Sequence, residues 1–183
     1  MTEPGADPGT APGSGTTPEI LHPDGASFRA VLGHFATGIT VITALDDGEP
    51  VGLAANSFTS VSLDPPLVLF CAATSSSTWP RIRRAGHFTV NVLDEHQEEI
   101  SRIFATRGAD RFAQVAWRVG SQGPILEDVH AWLDCTIEAE YPAGDHVIVV
   151  GRVHEMGLAP DAGPLLFYRG RYTRLLGTAD TST

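Results

Sequence analysis

The sequence predicts a mainly β fold, an antiparallel barrel with a few flanking helices. Many short apolar or alternating segments are separated by turn residues such as Asp-Gly and Pro-Ala-Gly, a pattern typical of antiparallel sheets. Helical patterns are few and do not alternate with the strands, which argues against a doubly wound parallel sheet. Neither GxGxxG nor GxxxxGK(S/T) is present, so the two commonest phosphate-loop motifs are excluded.

The first predicted elements are a helix and a hairpin. Ser27 is a favourable N-cap, and apolar residues follow it at helical spacing: Phe28, Val31, Leu32 and Phe35. Residues 39–55, ITVITALDDGEPVGLAA, predict two strands joined at Asp47-Gly48, because Asp-Gly suits the positive φ angles of a two-residue hairpin.

The rest of the domain predicts further strands with two short helices between them. Helices are expected at 79–85 and 95–105, where the acidic residues of the second form a solvated face. A turn is expected at 142–144. Strands are expected at 67–72, 87–93, 132–141, 146–156, 166–168 and 172–176.

Length and composition limit the classes of function. The 183 residues suit one domain, expected at 26–176, between a disordered arm rich in Pro and Gly (1–25) and a flexible tail (177–183). A formal net charge of −10 argues against a general nucleic-acid binder and against docking on an anionic membrane. No signal peptide or membrane-spanning stretch is recognisable, so we expect a cytoplasmic protein.

Residues 52–70, GLAANSFTSVSLDPPLVLF, place small and hydroxylated side chains where a core strand would carry large ones. Small residues let a ligand approach the backbone closely, and Asn, Ser and Thr offer hydrogen bonds without charge. This composition favours a flat ligand with a polar edge.

Residues 74–81, TSSSTWPR, resemble the start of a helix, with Ser77 or Thr78 as the cap and Pro80 in the first turn. Free N–H groups and hydroxyls at a helix start can bind a phosphate, and Arg81 adds charge nearby. The alternative interpretation is an ordinary capped helix preceded by a flexible serine loop.

A Gly-Asp-His turn precedes the predicted strand at 146, and His146 either faces a ligand or is solvated at the strand end. Cys71 and Cys135 are expected to be reduced core residues. The histidines lack metal-ligand spacing, and no nucleophile motif is present. A ligand cradle without reactive side chains is typical of proteins in which a cofactor supplies the chemistry.

Several motifs occur in an order and spacing that resemble a known family: FATGITVIT (35–43), GLAANSFTSVSLDPPLVLFC (52–71), SSSTWPRI (75–82), HFTVNVL (87–93), GDHVIVVGRV (144–153) and PLLFYRGRY (164–172). Residues 27–176 resemble the flavin reductase-like family of FMN-binding split barrels, the small reductase components of two-component flavin-dependent monooxygenases. The resemblance implies a six-stranded antiparallel Greek-key split barrel that works as a homodimer.

The resemblance also implies where cofactors bind. His146 would position the nicotinamide, residues 75–78 would approach the ribityl chain and phosphate, and Arg81 would lie near the flavin phosphate or, alternatively, a nicotinamide 2′-phosphate. The full set of implied cofactor-binding residues is Thr37, Gly38, Ala54, Ala55, Asn56, Ser57, Phe58, Thr59, Ser60, Ala72, Ser75, Ser76, Ser77, Thr78, Arg81, His146, Arg171 and Tyr172.

The implied activity is NAD(P)H-dependent flavin reduction of the EC 1.5.1 type. Hydride would pass from NADH or NADPH to FMN or FAD, and the reduced flavin would diffuse to a partner monooxygenase. Two alternatives remain open at this point: a non-catalytic flavin-binding module, and a split-barrel oxidoreductase whose tightly bound FMN acts directly on an organic substrate.

Overall fold

The computed structural model describes residues 20–108, 110–159 and 163–175. The expected tail (177–183) and most of the expected arm (1–19) lie outside these residues.

Helices are Gly25–Leu32 (α1), Trp79–Ala85 (α2) and Glu98–Ala105 (α3). Strands are Thr37–Gly38 (β1), Thr40–Asp46 (β2), Glu49–Ala55 (β3), Thr59–Leu63 (β4), Pro66–Ala73 (β5), His87–Val92 (β6), Trp117–Val119 (β7), Pro124–Leu126 (β8), Ala131–Ala143 (β9), His146–Leu158 (β10), Leu166–Tyr168 (β11) and Arg171–Thr173 (β12).

The main sheet is antiparallel, with the strand order β3-β2-β6-β9-β10-β5-β4. It curls so that β3 comes back against β5, and several neighbouring strands are distant in sequence, as a Greek-key barrel requires. The mainly β, antiparallel prediction is therefore confirmed, although this sheet has seven strands where six were expected. The strand of this sheet that was not predicted is β4, a five-residue edge strand whose two apolar residues, Val61 and Leu63, are both exposed.

Two smaller sheets complete the described part of the chain. Strands β7 and β8 form a hairpin, and β1 pairs with β11, which pairs with β12. These strands have two or three residues each, too few to produce a period-2 pattern, so β1, β7 and β8 were not predicted.

The two predicted hairpin turns form at or close to the expected positions. Asp47 and Gly48 both have positive φ angles, 53° and 84°, and they join β2 to β3 as predicted. The second turn lies slightly later than predicted, because β9 continues to Ala143 and pairs with His146 across Gly144-Asp145. Gly144 has a φ angle of 65°, which explains why glycine rather than Pro142 marks the turn.

Two helix starts differ from the sequence prediction. Asp24, not Ser27, caps α1, since its carboxylate accepts hydrogen bonds from the amides of Ala26 and Ser27 at 2.9 Å. Helix α3 begins at Glu98 rather than at residue 95, because the amide of Asp94 is held by the side chain of Gln97 in a preceding turn. In both places a local side-chain bond sets the first residue of the helix.

The core consists of two apolar clusters on opposite faces of β2. Ile42 and Ala44 face one cluster with Phe70 and Phe88, whereas Val41 faces a second cluster that contains Phe104 of α3. Because β2 is covered on both faces, nearly every residue in it is buried. Helix α3 therefore lies over the β2–β3 region of the sheet, and its end approaches the end of β3.

Candidate functional site

A groove of about 290 Å³ opens where the ends of β3, β5 and α3 meet the loop before α2. We call residues 74–78 of this loop the serine loop. The groove is lined by Leu53, Ala54, Ala55, Asn56, Ser57, Cys71, Ala72, Ala73, Ser75, Ser76, Ser77, Thr78, Phe104, Ala105, Arg107, Arg111 and His146.

A second cavity of about 200 Å³ adjoins this groove, with Ala54, Ala55, Asn56 and Ala105 in both linings. Its remaining lining is Ile39, Ser101, Phe167 and Tyr172. The shared residues make the two cavities compartments of one elongated site, which we call the front compartment (290 Å³) and the rear compartment (200 Å³).

Alanine pairs at the ends of two strands keep the front compartment open. Ala54 and Ala55 end β3, and Ala72 and Ala73 end β5. Ala55 and Ala72 are buried in the core and Ala54 and Ala73 are partly exposed beside the groove, so no large side chain occupies these strand ends. Alanines with short hydroxylated neighbours therefore let a flat ring approach the strand backbone closely.

Several hydroxyls hold the backbone of the site. The Ser57 hydroxyl accepts a hydrogen bond from the Cys71 amide at 2.9 Å and thereby joins the end of β3 to β5. The Ser76 hydroxyl accepts bonds from the amides of Thr78 and Trp79 at 3.2 and 3.1 Å. Thr78 occupies the N-cap position of α2, one of the two predicted caps, but its hydroxyl makes no capping bond and Ser76 supplies the bonds to the first amides.

Sequence reasoning missed two arginines that line the front compartment. Arg111 donates to the Thr78 hydroxyl at 2.9 Å and to the Gly52 carbonyl at 2.6 Å, and Arg107 approaches the Ser75 hydroxyl at 3.4 Å. Burial lowers the pKa of the Arg111 guanidinium. Both arginines lie in the irregular segment after α3, more than 25 positions from the serine loop, and no local motif marks either one.

His146 begins β10, where it pairs with Ala73 of β5, and it lines the front compartment. Its Nδ1 lies 2.7 Å from the Asp145 carboxylate. That hydrogen bond, followed by the charge of the imidazole, lowers the pKa of Asp145. Since a carboxylate accepts, Nδ1 carries the proton, and Nε2 is left for a ligand in the groove.

The structure brings most of the predicted site residues together. In the front compartment lie Ala54, Ala55, Asn56, Ser57, Ala72, Ser75, Ser76, Ser77, Thr78 and His146, and Tyr172 lies in the rear compartment. The Tyr172 hydroxyl is 3.0 Å from that of Ser101, and the Arg102 guanidinium stacks on its ring. Tyr172 is thus a fixed wall of the rear compartment.

The other predicted residues do not line either compartment. Phe58 packs against the core, and Arg81 is held by the Asp46 carboxylate at 2.7 Å, which removes it from the groove. Thr37 and Gly38 pair with β11, Thr59 and Ser60 lie on edge strand β4, and Arg171 is exposed on β12. The Thr37 hydroxyl is buried without a hydrogen-bond partner.

Cys71 lines the groove and is only partly buried, so its assignment to the core was wrong, whereas Cys135 is fully buried as expected. Burial, and to a smaller extent the charge of Asp134, raises the pKa of the Cys135 thiol to about 12. Within the described ranges, no group of three His, Cys, Asp or Glu side chains could hold a metal ion. No helix among the described residues is both long and apolar enough to cross a bilayer.

The residues present fit a flavin. Paired alanines leave room for a planar ring system, neutral hydroxyls and strand-end amides suit its polar edge, and two arginines beside the serine loop suit an anionic tail. The rear compartment extends the site beyond the ring-sized space of the front one.

Comparisons with known proteins agree with this geometry. Residues 32–176 match the model of the flavin reductase like domain. The chain is 48% identical over 147 residues to a flavin reductase of Pseudomonas putida, covering 79% of this chain and 86% of that protein. It is 47% identical over 151 residues to the flavin-dependent monooxygenase reductase subunit HsaB of Rhodococcus jostii, covering 82% and 77% of the two chains.

Solved structures give the same result. An NADH:FAD oxidoreductase of Streptomyces globisporus, solved with NAD and FAD fragments, superposes with a TM-score of 0.85 at 39% identity, covering 89% of this chain and 100% of that one. Nitrilotriacetate monooxygenase component B of Mycobacterium thermoresistibile gives a TM-score of 0.81 at 44% identity, covering 86% and 90%. Fold, groove and sequence agree, and the chain belongs to the flavin reductase-like family.

Proposed function

We propose that this protein is an NAD(P)H:flavin oxidoreductase of the EC 1.5.1 type that supplies reduced flavin to a partner monooxygenase. The observation that carries the proposal is the elongated groove, whose alanine floor, hydroxylated loop and adjoining rear compartment suit a flavin beside a second ring. The relatives named as flavin reductases and monooxygenase reductase subunits support the same activity.

The protein contributes binding and orientation. When bound, the flavin supplies the hydride acceptor, and the nicotinamide cofactor supplies the hydride. Ala54, Ala55 and Ala72 admit the flavin ring, and the serine loop with Arg107 binds its polar tail. Holding two reactants in contact is worth roughly 7–11 kcal/mol at best, enough for a site without a dedicated acid or base.

His146 is proposed to position the nicotinamide. Its Nδ1 is held by Asp145, which fixes the ring and leaves Nε2 available to a carboxamide or ribose group. The imidazole lies at the mouth of the groove, partly exposed, where a second cofactor can enter after the flavin.

The flavin is proposed to act as a diffusing substrate. Of the groove hydroxyls, Ser57, Ser76 and Thr78 are already engaged in protein hydrogen bonds. The ligand is thus left with few strong contacts, which suits reduced flavin that leaves for an oxygenase. A tightly bound FMN acting directly on an organic substrate would need a more enclosed and better-bonded cradle.

The protein is further proposed to be a cytoplasmic homodimer. Helix α1 has no buried residue, and Phe28, Val31 and Leu32 form an exposed apolar face on it. The helix ends at Leu32, before the predicted Phe35, which is an exposed apolar residue of the following turn. A second copy would remove this surface from water.

The test follows absorbance at 340 nm with NADH or NADPH, with and without free FMN or FAD. We expect oxidation that requires the protein and rises saturably with free flavin, and the preferred pair then identifies both cofactors. Flavin binding without oxidation of either nucleotide would contradict the proposal and favour a binding module. Stoichiometric flavin that copurifies and resists dialysis would favour the enzyme with tightly bound FMN.

A further inference from the structure

Arg111 joins three segments of the chain through one guanidinium. Its Nη1 donates to the Gly52 carbonyl of β3 at 2.6 Å and to the Thr78 hydroxyl of the serine loop at 2.9 Å. Its Nε and Nη2 donate to the carbonyl of Thr106, the residue that ends α3, at 3.2 and 2.7 Å. Four N–H groups are thus aimed at fixed acceptors in three directions.

The same three segments form the walls of the front compartment. Ala54 and Ala55 follow Gly52 on β3, Ser75 and Ser77 precede Thr78, and Phe104 is the second-last residue of α3. A change in the distance between any two of these walls would change the width of the groove. Arg111 is a side chain that forms hydrogen bonds with all three segments.

Arg111 bonds only neutral oxygens, unlike the arginines of the described chain that form ion pairs. Arg81, Arg84, Arg102 and Arg152 each pair with a carboxylate, whereas no carboxylate lies within 4.0 Å of the Arg111 guanidinium among the described residues. All its acceptors are neutral oxygens, and Thr78 is itself buried. A partly buried guanidinium without an ion pair is costly, and its four hydrogen bonds to neutral oxygens indicate a structural role other than surface charge.

We propose that Arg111 is a positioning residue that holds the serine loop against β3 and the end of α3, and so sets the place of the ligand's phosphate-bearing tail. This inference rests on the proposed flavin-binding function. Arg111 acts through Thr78 and the loop, and its fork geometry, rather than its charge alone, is what the site requires.

The test measures binding of FMN and of riboflavin, which lacks the phosphate, by quenching of flavin fluorescence. The variants are Arg111→Met, Arg111→Lys, Thr78→Val and the double variant Arg111→Met with Thr78→Val. We expect each single change to weaken FMN binding about tenfold, equivalent to about 1.4 kcal/mol, and riboflavin binding by much less, because the serine loop would no longer be held in place beside the phosphate.

The double variant should bind FMN no more weakly than Arg111→Met alone, because both changes break the same tether. Arg111→Lys should resemble Arg111→Met, since lysine keeps the charge but cannot bridge three acceptors. Arg118→Met is the matched control, because Arg118 stacks on Trp132 away from the groove and should leave both affinities unchanged.

Three outcomes would overturn the inference. The first is that Arg111→Lys binds FMN with the affinity of the wild type. The others are that the double variant loses FMN affinity by the product of the two single-variant factors, or that the variants lose affinity for FMN and riboflavin equally. Thermal unfolding of each variant identifies a folding defect, and if Arg111→Met does not fold, Thr78→Val still tests the tether with Arg111 intact. A wild-type chain that binds neither flavin would refute the proposed function itself, which is a different result.

Discussion

At the scale of single residues, the polar side chains of the groove perform two different tasks. Ser57, Ser76 and Thr78 are bonded within the protein and fix the backbone around the site. Asn56 and Ser77 are exposed in the groove and are left for the ligand. Because a hydroxyl can bond either the backbone or a ligand, the residue type alone does not determine which task it performs.

The two cysteines should differ sharply in reactivity. Cys135 is buried with a pKa raised to about 12, so almost none of it is thiolate at pH 8, while Cys71 is accessible in the groove. A thiol reagent at pH 8 should therefore label a single thiol per native chain, and Cys71→Ser should abolish that labelling. Added FMN should slow it. Rapid labelling of Cys71 unaffected by saturating flavin would contradict the position of the binding site.

Replacement of His146 should affect the nicotinamide more than the flavin. For His146→Ala we expect KM for NADH or NADPH to rise about tenfold, equivalent to about 1.4 kcal/mol, with flavin affinity nearly unchanged. Asp145→Asn keeps the imidazole but weakens the bond that orients it, so a smaller change in the same direction is expected. Steady-state kinetics with flavin titrations separate the two effects, and a collapse of flavin affinity with normal nicotinamide kinetics would refute this role.

At the scale of elements, the width of the groove depends on how closely α3 packs on β3. Gly52 permits this approach, since a Cβ at that position would lie 2.6 Å from Cε1 of Phe104. Phe104 is itself fully buried and packs edge-on against Phe112. The ring therefore has little freedom to move away, and a glycine is required here by packing rather than by its backbone angles.

Gly52→Ala should therefore destabilise the fold by about 1–3 kcal/mol, the usual cost of overpacking a core. Gly38→Ala is the matched control, because a Cβ at Gly38 meets nothing within 4 Å. Denaturant unfolding of both variants measures the difference. Equal stability of Gly52→Ala and the wild type would show that α3 can shift on the sheet without cost.

Helix α2 is anchored to the end of β2 by a buried carboxylate. Asp46 is 3% exposed and accepts bonds from Arg84 at 2.8 Å and Arg81 at 2.7 Å. Bonds from Arg84 first, and from Arg81 next, lower the pKa of Asp46. Because α2 directly follows the serine loop, this anchor also holds one wall of the site.

The anchor predicts a specific pH dependence. A carboxyl with a lowered native pKa contributes stability above its unfolded pKa near 4, and that contribution is lost as the pH falls further. Asp46→Asn should lower the melting temperature at pH 7 and flatten the loss of stability below about pH 4. Glu140→Gln, which breaks the exposed Arg83 pair, should change little. If the stability of Asp46→Asn and that of the wild type fell equally steeply with pH below pH 4, this account would be contradicted.

At the scale of the whole molecule, the exposed apolar face of α1 is the feature that a single chain leaves unexplained. Phe28 is 56% exposed, and Val31 and Leu32 lie beside it on the same face of α1, while Phe35, three residues after the helix, is 75% exposed. The helix is attached to the barrel mainly at its end, where the Arg169 amide donates to the Gly33 carbonyl at 2.8 Å. We propose that a second copy of the chain packs against this apolar face.

Light scattering after gel filtration should therefore give about twice the mass of one chain. Val31→Glu places a charge in the middle of the apolar face and should shift the protein to the monomer, because an unpaired charge is strongly unfavourable in a buried interface. Ala30→Glu, on the opposite face of α1, should leave the dimer intact. A monomeric wild-type protein, or dissociation by Ala30→Glu alone, would refute the role of this face.

The sequence by itself determined the features that local chemistry controls. The Asp47-Gly48 turn, the antiparallel strands with long alternating patterns and the start of α2 at residue 79 follow from backbone preferences and periodicity within a few residues. The small and hydroxylated residues at 52–60 indicated a ligand cradle, although the structure places Thr59 and Ser60 outside the groove.

Only the tertiary structure decided which of these residues share one site. The end of β3 meets β5, the serine loop and α3 because the sheet curls, and no local pattern encodes that curvature. The tertiary structure also showed that Arg81 pairs with Asp46 and that Arg111 lines the groove, where it bonds Thr78. A long side chain can reach acceptors far away in sequence, so the partner it binds depends on which segments packing brings within a few ångströms.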